Sequence, residues 1–303
     1  MIQAPIPPKR LQELQSLPTI LGNDILGQAE VIPEISEPLQ NAELGLRDPE
    51  RPKASFMFLG PTGVGKTEVT RLFTAYLHRL PKPDEKLVRF DMSEFQTRGS
   101  VERLIDLIAF NVKRTKGEGT ILFDEIEKAE KLVLDLLLQI LDAARVTLPS
   151  GETLNLSEYY IVLTSNIGAK AMMDVKHSVR ATIVRFVERQ AQMELRPELF
   201  ARVDRVCVFN SLSYETQVLI AEHMLKKELR RYPERKVSYG PSVLEFLAAE
   251  GFHPRLGARR MRAAVEKHVR RAIRNSVFAG GKPGTRLQVL KSQLLLSRPK
   301  KEN

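Results

Sequence analysis

Tryptophan is absent from this sequence, aromatic residues make up only 6% of it, and Cys207 is the single cysteine among 303 residues. One cysteine excludes an intramolecular disulfide. Inside the apolar run Val206-Cys207-Val208-Phe209 it reads as a buried strand residue in a reducing compartment. No apolar stretch is long enough to span a bilayer, although 43% of the residues are hydrophobic, so no membrane insertion is expected. The first residues lack the basic segment followed by an apolar core that marks a secretion signal, and the expected location is cytoplasmic. Internal repeats and low-complexity tracts are missing too. What remains is enough chain to bury a real core, in one large domain and a smaller one.

Charge is abundant but unevenly placed. The net charge is +10, and residues 211–303 carry 20 Lys and Arg against 8 Asp and Glu, so the first 210 residues are slightly acidic. Much of the surplus falls in a helical pattern at 258–278, on Arg259, Arg260, Arg262, Lys267, Arg270, Arg271 and Arg274. Such a run can meet nucleic acid phosphates, an acidic partner subunit or water. No aromatic residue interleaves with these arginines to stack on bases, so nucleic acid is not indicated and a solvated or subunit-facing surface is expected.

The chemistry begins at Gly60-Pro61-Thr62-Gly63-Val64-Gly65-Lys66-Thr67, a complete G-x-x-x-x-G-K-T phosphate loop that follows the apolar run 55–59. Backbone N–H groups must turn inward around phosphates there, which demands dihedrals and a closeness that a Cβ obstructs. Lys66 is expected to reach the β and γ oxygens and Thr67 to offer its hydroxyl to Mg²⁺. A helix over 67–77 would point its positive end at the anion. Downstream, the apolar run 120–123 ends in Asp124 and Glu125. Taken alone, Asp124 reads equally as an N-cap for a helix over 126–144. With a phosphate loop upstream, Asp124 is expected in the Mg²⁺ shell, and Glu125 is expected to act as the general base that polarises a water.

Strand patterns occur at 55–59, 87–91, 120–124, 160–165 and 203–209, with helical periodicity between them. Residues Val101, Leu104, Ile105, Ile108 and Val112 share one helical face; Ala129, Leu132, Leu136, Leu137, Ile140 and Leu141 share another. Alternation of this kind predicts a five-stranded, mostly parallel α/β sheet covered on both sides. Residues 145–156 read as a projecting hairpin. The Pro-rich residues 1–22 are expected to form a poorly ordered N-terminal arm, 23–210 the large nucleotide-binding domain and 211–303 a smaller, mainly helical domain.

Read together, these segments resemble the Clp family of AAA+ P-loop NTPases, most closely the C-terminal ATPase module of its ring-forming disaggregases and protease partners. The resemblance covers about 24–296 and rests on separate blocks in the family's order. These include Ile25-Leu26-Gly27-Gln28, Gly45-Leu46-Arg47-Asp48-Pro49, the phosphate loop, Phe90-Asp91-Met92-Ser93-Glu94-Phe95, the acidic strand end, Thr164-Ser165-Asn166, Arg196-Pro197-Glu198-Leu199-Phe200 and Gly257-Ala258-Arg259. It implies an ATPase using ATP and Mg²⁺. Asn166 would be the sensor-1 residue beside Glu125, Arg202 an arginine finger serving the adjacent subunit, Arg259 sensor 2, and Ile25 and Leu26 part of the segment against the adenine. It implies self-association into a hexameric ring, with an unknown protein client or adaptor. Arg196 reads equally as a residue near the subunit boundary and as a salt-bridge partner.

The sequence departs from the family in one important place. Where the unfoldases carry a Gly-aromatic-Val-Gly pore loop, residues 100–110 pass directly into a helix, and Phe110 is expected to be a core residue of it. Loss of that loop predicts ATP hydrolysis that remodels a protein or protein–nucleic-acid partner without threading it. An unfoldase with an unconventional loop and a DNA-associated ATPase are the alternatives. Pro33 and Pro38 also interrupt a segment that is helical in the family, which puts its docking in question.

Overall fold

The computed structural model describes residues 6–169, 172, 179–253, 256–280 and 284–297. The chain divides into two compact units, Met1–Pro61 with Gly65–Ser211, and Thr62–Val64 with Leu212–Asn303. The first contains α1 (Pro8–Asp24), α2 (Val31–Glu43), β1 (Ala54–Leu59), α3 (Lys66–Leu77), β2 (Leu87–Asp91), α4 (Ser100–Arg114) and β3 (Gly119–Asp124). It continues through α5 (Lys131–Ala143), β4 (Arg145–Thr147), β5 (Thr153–Asn155), β6 (Tyr159–Ser165), α6 (Arg180–Glu194), α7 (Pro197–Arg202) and β7 (Arg205–Val208).

Five strands pair in the order β2-β3-β6-β1-β7, all parallel, as the alternating pattern predicts. Strands β1, β3 and β6 are buried along their whole length, the mark of a sheet covered on both faces. Side chains alternate across it. Met57 and Leu59 join Phe90, Ile121, Phe123, Ile161 and Leu163 in a core closed by Leu104 and Ile108 of α4 and Leu137 and Leu141 of α5. Phe56 and Phe58 face the other way, where ring contacts run Phe58–Phe209 at 5.2 Å and Phe73–Tyr160 at 5.8 Å. Cys207 is a fully buried strand residue. The hairpin expected at 145–156 forms as the antiparallel pair β4–β5.

Several local expectations are corrected. The arm assigned to 1–22 is mostly ordered: α1 buries Leu14, Leu17 and Leu21, and only residues 1–5 of that segment lie outside the described residues. Pro8 opens the helix, where its missing N–H costs nothing. Pro18 lies inside and deprives Leu14 of its usual donor four residues on. The side chain of Gln40 replaces that donor, reaching the Leu14 carbonyl at 2.7 Å.

Helix α2 likewise survives both prolines. Pro33 falls in the first turn, whose N–H groups have no intrahelical acceptor, and Pro38 is interior. An interior proline costs about 3 kcal/mol. Val31, Ile32, Ile35 and Leu39 are each at most 4% exposed, and burying each such side chain contributes roughly 1.5–3 kcal/mol, so packing wins.

The helix expected over 126–144 is broken into a short 3₁₀ turn, Ile126–Lys128, and α5. Glu130 N-caps α5 by accepting the Leu132 N–H at 2.6 Å. That shift in helix start turns Leu132 outward, 47% exposed, while Val133 and Leu134 enter the core. Phe110 is also corrected: it is 66% exposed, on the face of α4 opposite Leu104 and Ile108.

The second unit packs α8 (Tyr214–Leu229), α9 (Pro241–Gly251) and α10 (Met261–Phe278) with the hairpin β8 (Arg286–Leu290) and β9 (Gln293–Ser297). Leu225, Leu247, Val265, Val269, Leu287 and Leu294 form its core. The cationic residues of 258–278 are all exposed. Arg270 is neutralised there by Glu228 at 3.2 Å and Glu266 at 2.9 Å.

Candidate active site

Parallel register brings the chemistry to one edge. Leu59 pairs with Ser165 and Asp91 with Asp124, so the chain leaves β1, β2, β3 and β6 on the same side of the sheet. Ligands in open α/β sheets bind at this carboxyl edge. The turn out of β1 is possible only for glycine at its first position. Gly60 has φ +132°, and a Cβ there would lie 2.6 Å from the Phe209 carbonyl oxygen. Gly65, at φ +114°, closes the loop as the residue before α3, with Ile25 packed against it. Ile25 is buried and Leu26 half-buried. The next residues of that segment are anchored by Gln28, whose side chain donates to the Asn210 carbonyl at 2.9 Å and accepts its N–H at 2.8 Å.

Lys66 begins α3 and is 7% exposed. Its ammonium donates to the carbonyl oxygens of Gly60, Pro61 (3.1 Å) and Ser165 (3.1 Å) and to Asn166 Oδ1 (2.9 Å). A buried cation ringed by neutral oxygens, beside backbone N–H groups at a helix N-terminus, is a donor set that fits a polyphosphate.

Asp124 is 6% exposed; its Oδ1 accepts from the Thr164 hydroxyl and its Oδ2 from Arg89 at 2.6 Å. Glu125 follows in the left-handed region, φ +61° and ψ +53°, which costs a non-glycine residue about 1–2 kcal/mol. Three bonds hold it. Its N–H donates to Thr164 Oγ1 at 3.2 Å, Oε1 accepts from Asn166 Nδ2 at 3.1 Å, and Oε2 pairs with Lys128. That hydrogen bond to Glu125 raises the Lys128 ammonium above its usual range. Glu125 caps the 3₁₀ turn Ile126–Lys128, and the extended Ala129 and Glu130 then separate that turn from α5. Asn166 donates its own N–H to Glu127 Oε1 at 3.1 Å.

The structure therefore gathers Gly60, Lys66, Asp124, Glu125 and Asn166 into one hydrogen-bonded cluster. Arg202 is not in it: it lies at the end of α7, paired with Asp142 of α5 at 2.5 Å. Arg196 pairs with Asp135. Arg259 is exposed in the 3₁₀ turn Ala258–Arg260 of the second unit. Arg89, Thr164, Glu127 and Lys128 are additions that the sequence reading missed. The only available signal was Arg89, a lone charge inside a strand pattern.

The donor chemistry also fits Mg²⁺, a hard cation that takes oxygen: Thr67 is the second residue of α3, beside the loop, and Asp124 ends β3. Among the described residues no cluster of three His, Cys, Asp or Glu could hold a metal alone. Mg²⁺ bound there would depend on nucleotide oxygens, its usual mode beside phosphates.

Residues 51–206 match the model of the AAA domain (Cdc48 subfamily). This chain belongs to the AAA family. Residues 212–289 of the AAA module match a second model, the C-terminal, D2-small domain of ClpB protein. The chain is 34% identical over 285 residues to Chaperone protein ClpB 1 of Synechococcus elongatus, covering 89% of this chain and 32% of that protein. It is 35% identical over 284 residues to Chaperone protein ClpB of Meiothermus ruber, covering 89% of this chain and 33% of that one. It thus spans about a third of the length of the curated relatives it matches, as a Clp-family AAA+ ATPase module. No described helix is long and apolar enough to cross a membrane.

Proposed function

We propose that this module hydrolyses ATP at the β1–β3–β6 edge and, as a cytoplasmic hexameric ring, uses the cycle to remodel a protein client. The observation that carries the reading is the Asn166 side chain, which joins Lys66 to Glu125 through its two ends. One residue thereby ties the group suited to a γ-phosphate to the group suited to a base. In this reading the loop Gly60, Pro61, Thr62, Gly63, Val64 and Gly65 cradles the phosphates, Lys66 neutralises the β and γ oxygens, and Ile25 and Leu26 lie against the adenine. Thr67 and Asp124 would hold Mg²⁺, which supplies further charge neutralisation at the phosphates.

Glu125 accepts the proton of the attacking water, and Asn166 fixes the carboxylate that does so. Developing charge on the γ-phosphoryl needs a cation at the far side. Arg202 of a neighbouring subunit fills that role, and Arg259 of the 211–303 lid domain is the second sensor. Glu125→Gln is the direct test. The amide keeps the shape but accepts no proton, so ATP binding should persist while turnover falls about 10²- to 10⁴-fold. The same variant, holding its client, allows co-purification under ATP. Turnover at the wild-type rate would place the base elsewhere.

A second reading, an unfoldase with an unconventional loop, gains support from the exposure of Phe110, an aromatic available on α4. Phe110→Ala would then abolish client unfolding and leave basal ATP turnover intact. Loss of neither favours remodelling without threading.

A further inference from the structure

Helix α5 presents Asp135 and Asp142 seven residues apart, two turns of helix and so one face. The two carboxylates bind arginines at either end of the short helix α7: Asp135 takes Arg196, the N-cap residue, and Asp142 takes Arg202, the last residue. Arg51 joins the C-terminal ends of the two helices. Its Nε donates to the Leu141 carbonyl at 3.3 Å and its Nη2 to the Arg202 carbonyl. A cation on the last carbonyls of two helices is favoured by both dipoles. The backbone positions of Asp142 and Arg202 are therefore set against each other before their side chains meet.

The guanidinium of Arg202 is then oriented from two sides. Its Nε donates to Asp142 Oδ2 at 2.5 Å, and its Nη1 donates to the Glu198 carbonyl at 3.2 Å. Among the described residues its Nη2 has no hydrogen-bond partner. A planar fork pinned through Nε and Nη1 points its Nη2 in a fixed direction, which suits donation to a phosphoryl oxygen. We propose that Asp142 is a positioning residue for ATP hydrolysis, acting through Arg202 of its own subunit on the nucleotide of the next. The inference rests on the reading of Arg202 as a finger in trans. Charge contributes to catalysis in proportion to its preorganisation, and about 1 Å of misplacement can cost about 10²-fold.

The test compares Asp142→Ala, Asp142→Asn and Arg202→Ala in assembled rings, with nucleotide affinity and turnover measured separately. Asp142→Ala should lose turnover about tenfold or more at unchanged ATP affinity. Asp142→Asn, whose amide oxygen still accepts the Nε proton, should retain most of it. Asp142→Ser, too short to reach Nε, provides the same comparison if Asp142→Ala fails to assemble. Mixing Asp142→Ala with Lys66→Ala should restore part of the activity, because intact fingers then face intact phosphate loops. A merely structural defect in the Asp142→Ala subunit is not rescued that way. Wild-type turnover in Asp142→Ala beside an inactive Arg202→Ala, or a loss that mixing leaves unchanged, would overturn the positioning role alone. Wild-type turnover in Arg202→Ala would instead remove the finger reading beneath it.

Discussion

Asn166 turns the oxygen of its side-chain amide to Lys66, at 2.9 Å, and the nitrogen to Glu125, at 3.1 Å. An amide is a neutral group that accepts from an ammonium at one end and donates to a carboxylate at the other. A carboxylate in its place would face Glu125 with like charge. The third bond, from the Asn166 backbone to Glu127, fixes the position of the bridge itself.

Asn166→Ala should therefore leave ATP affinity nearly unchanged and lower turnover about 10²-fold, since Glu125 loses the donor that aims it. Equilibrium binding of a fluorescent nucleotide alongside steady-state turnover separates the two effects. A loss of affinity with unchanged turnover would mean that Asn166 serves binding only.

Lys66→Ala removes the buried cation of the cradle and should abolish nucleotide binding; Arg202→Ala should bind ATP and fail to hydrolyse it. An arginine finger contributes about 10³- to 10⁵-fold in rate. Mixed rings of the two variants contain interfaces in which an intact Arg202 meets an intact Lys66, so part of the activity should return. Native mass spectrometry confirms mixing. Continued inactivity in such rings would count against action in trans.

Acid should unpick the join between the helical N-terminal segment and the sheet. Glu43, at the end of α2, is partly buried among Arg10 of α1, Lys53 at 3.1 Å and the Tyr160 hydroxyl at 2.5 Å. Burial alone would push its carboxyl up, but Lys53, Tyr160 and Arg10 outweigh burial and hold it down to about 2. A depressed carboxylate stabilises the fold fully above its unfolded value, about 4.3, and that stability is lost as pH falls towards 2. The shift corresponds to about 3 kcal/mol. Glu43→Gln should lower the urea midpoint at neutral pH, and its gap from the wild type should close between about pH 4.5 and 2. A gap independent of pH over that window would show that Glu43 acts by packing alone.

The phosphate loop, the Asp124–Glu125 strand end and the strand order along the chain were legible because each depends on a few contiguous residues. A loop around phosphates needs glycines at fixed spacing, and a buried parallel strand needs an unbroken apolar run. Three features were decided by tertiary contacts. Proline content argued against helices at 8–24 and 31–43, yet Gln40 restores the acceptor balance at Leu14 and the burial of Val31, Ile35 and Leu39 outweighs Pro38. Periodicity joined 126–144 into one helix, yet Ala129 and Glu130 are extended, the Glu130 N–H donating to the Phe95 carbonyl at 2.9 Å, so α5 begins only at Lys131. Apolar character placed Phe110 in the core, but the face of α4 turned to the sheet is already filled by Leu104 and Ile108. Short-range sequence carries local backbone demands; the partners that satisfy a lost hydrogen bond, a strained dihedral or an ion pair lie dozens of residues away, and only folding brings them into reach.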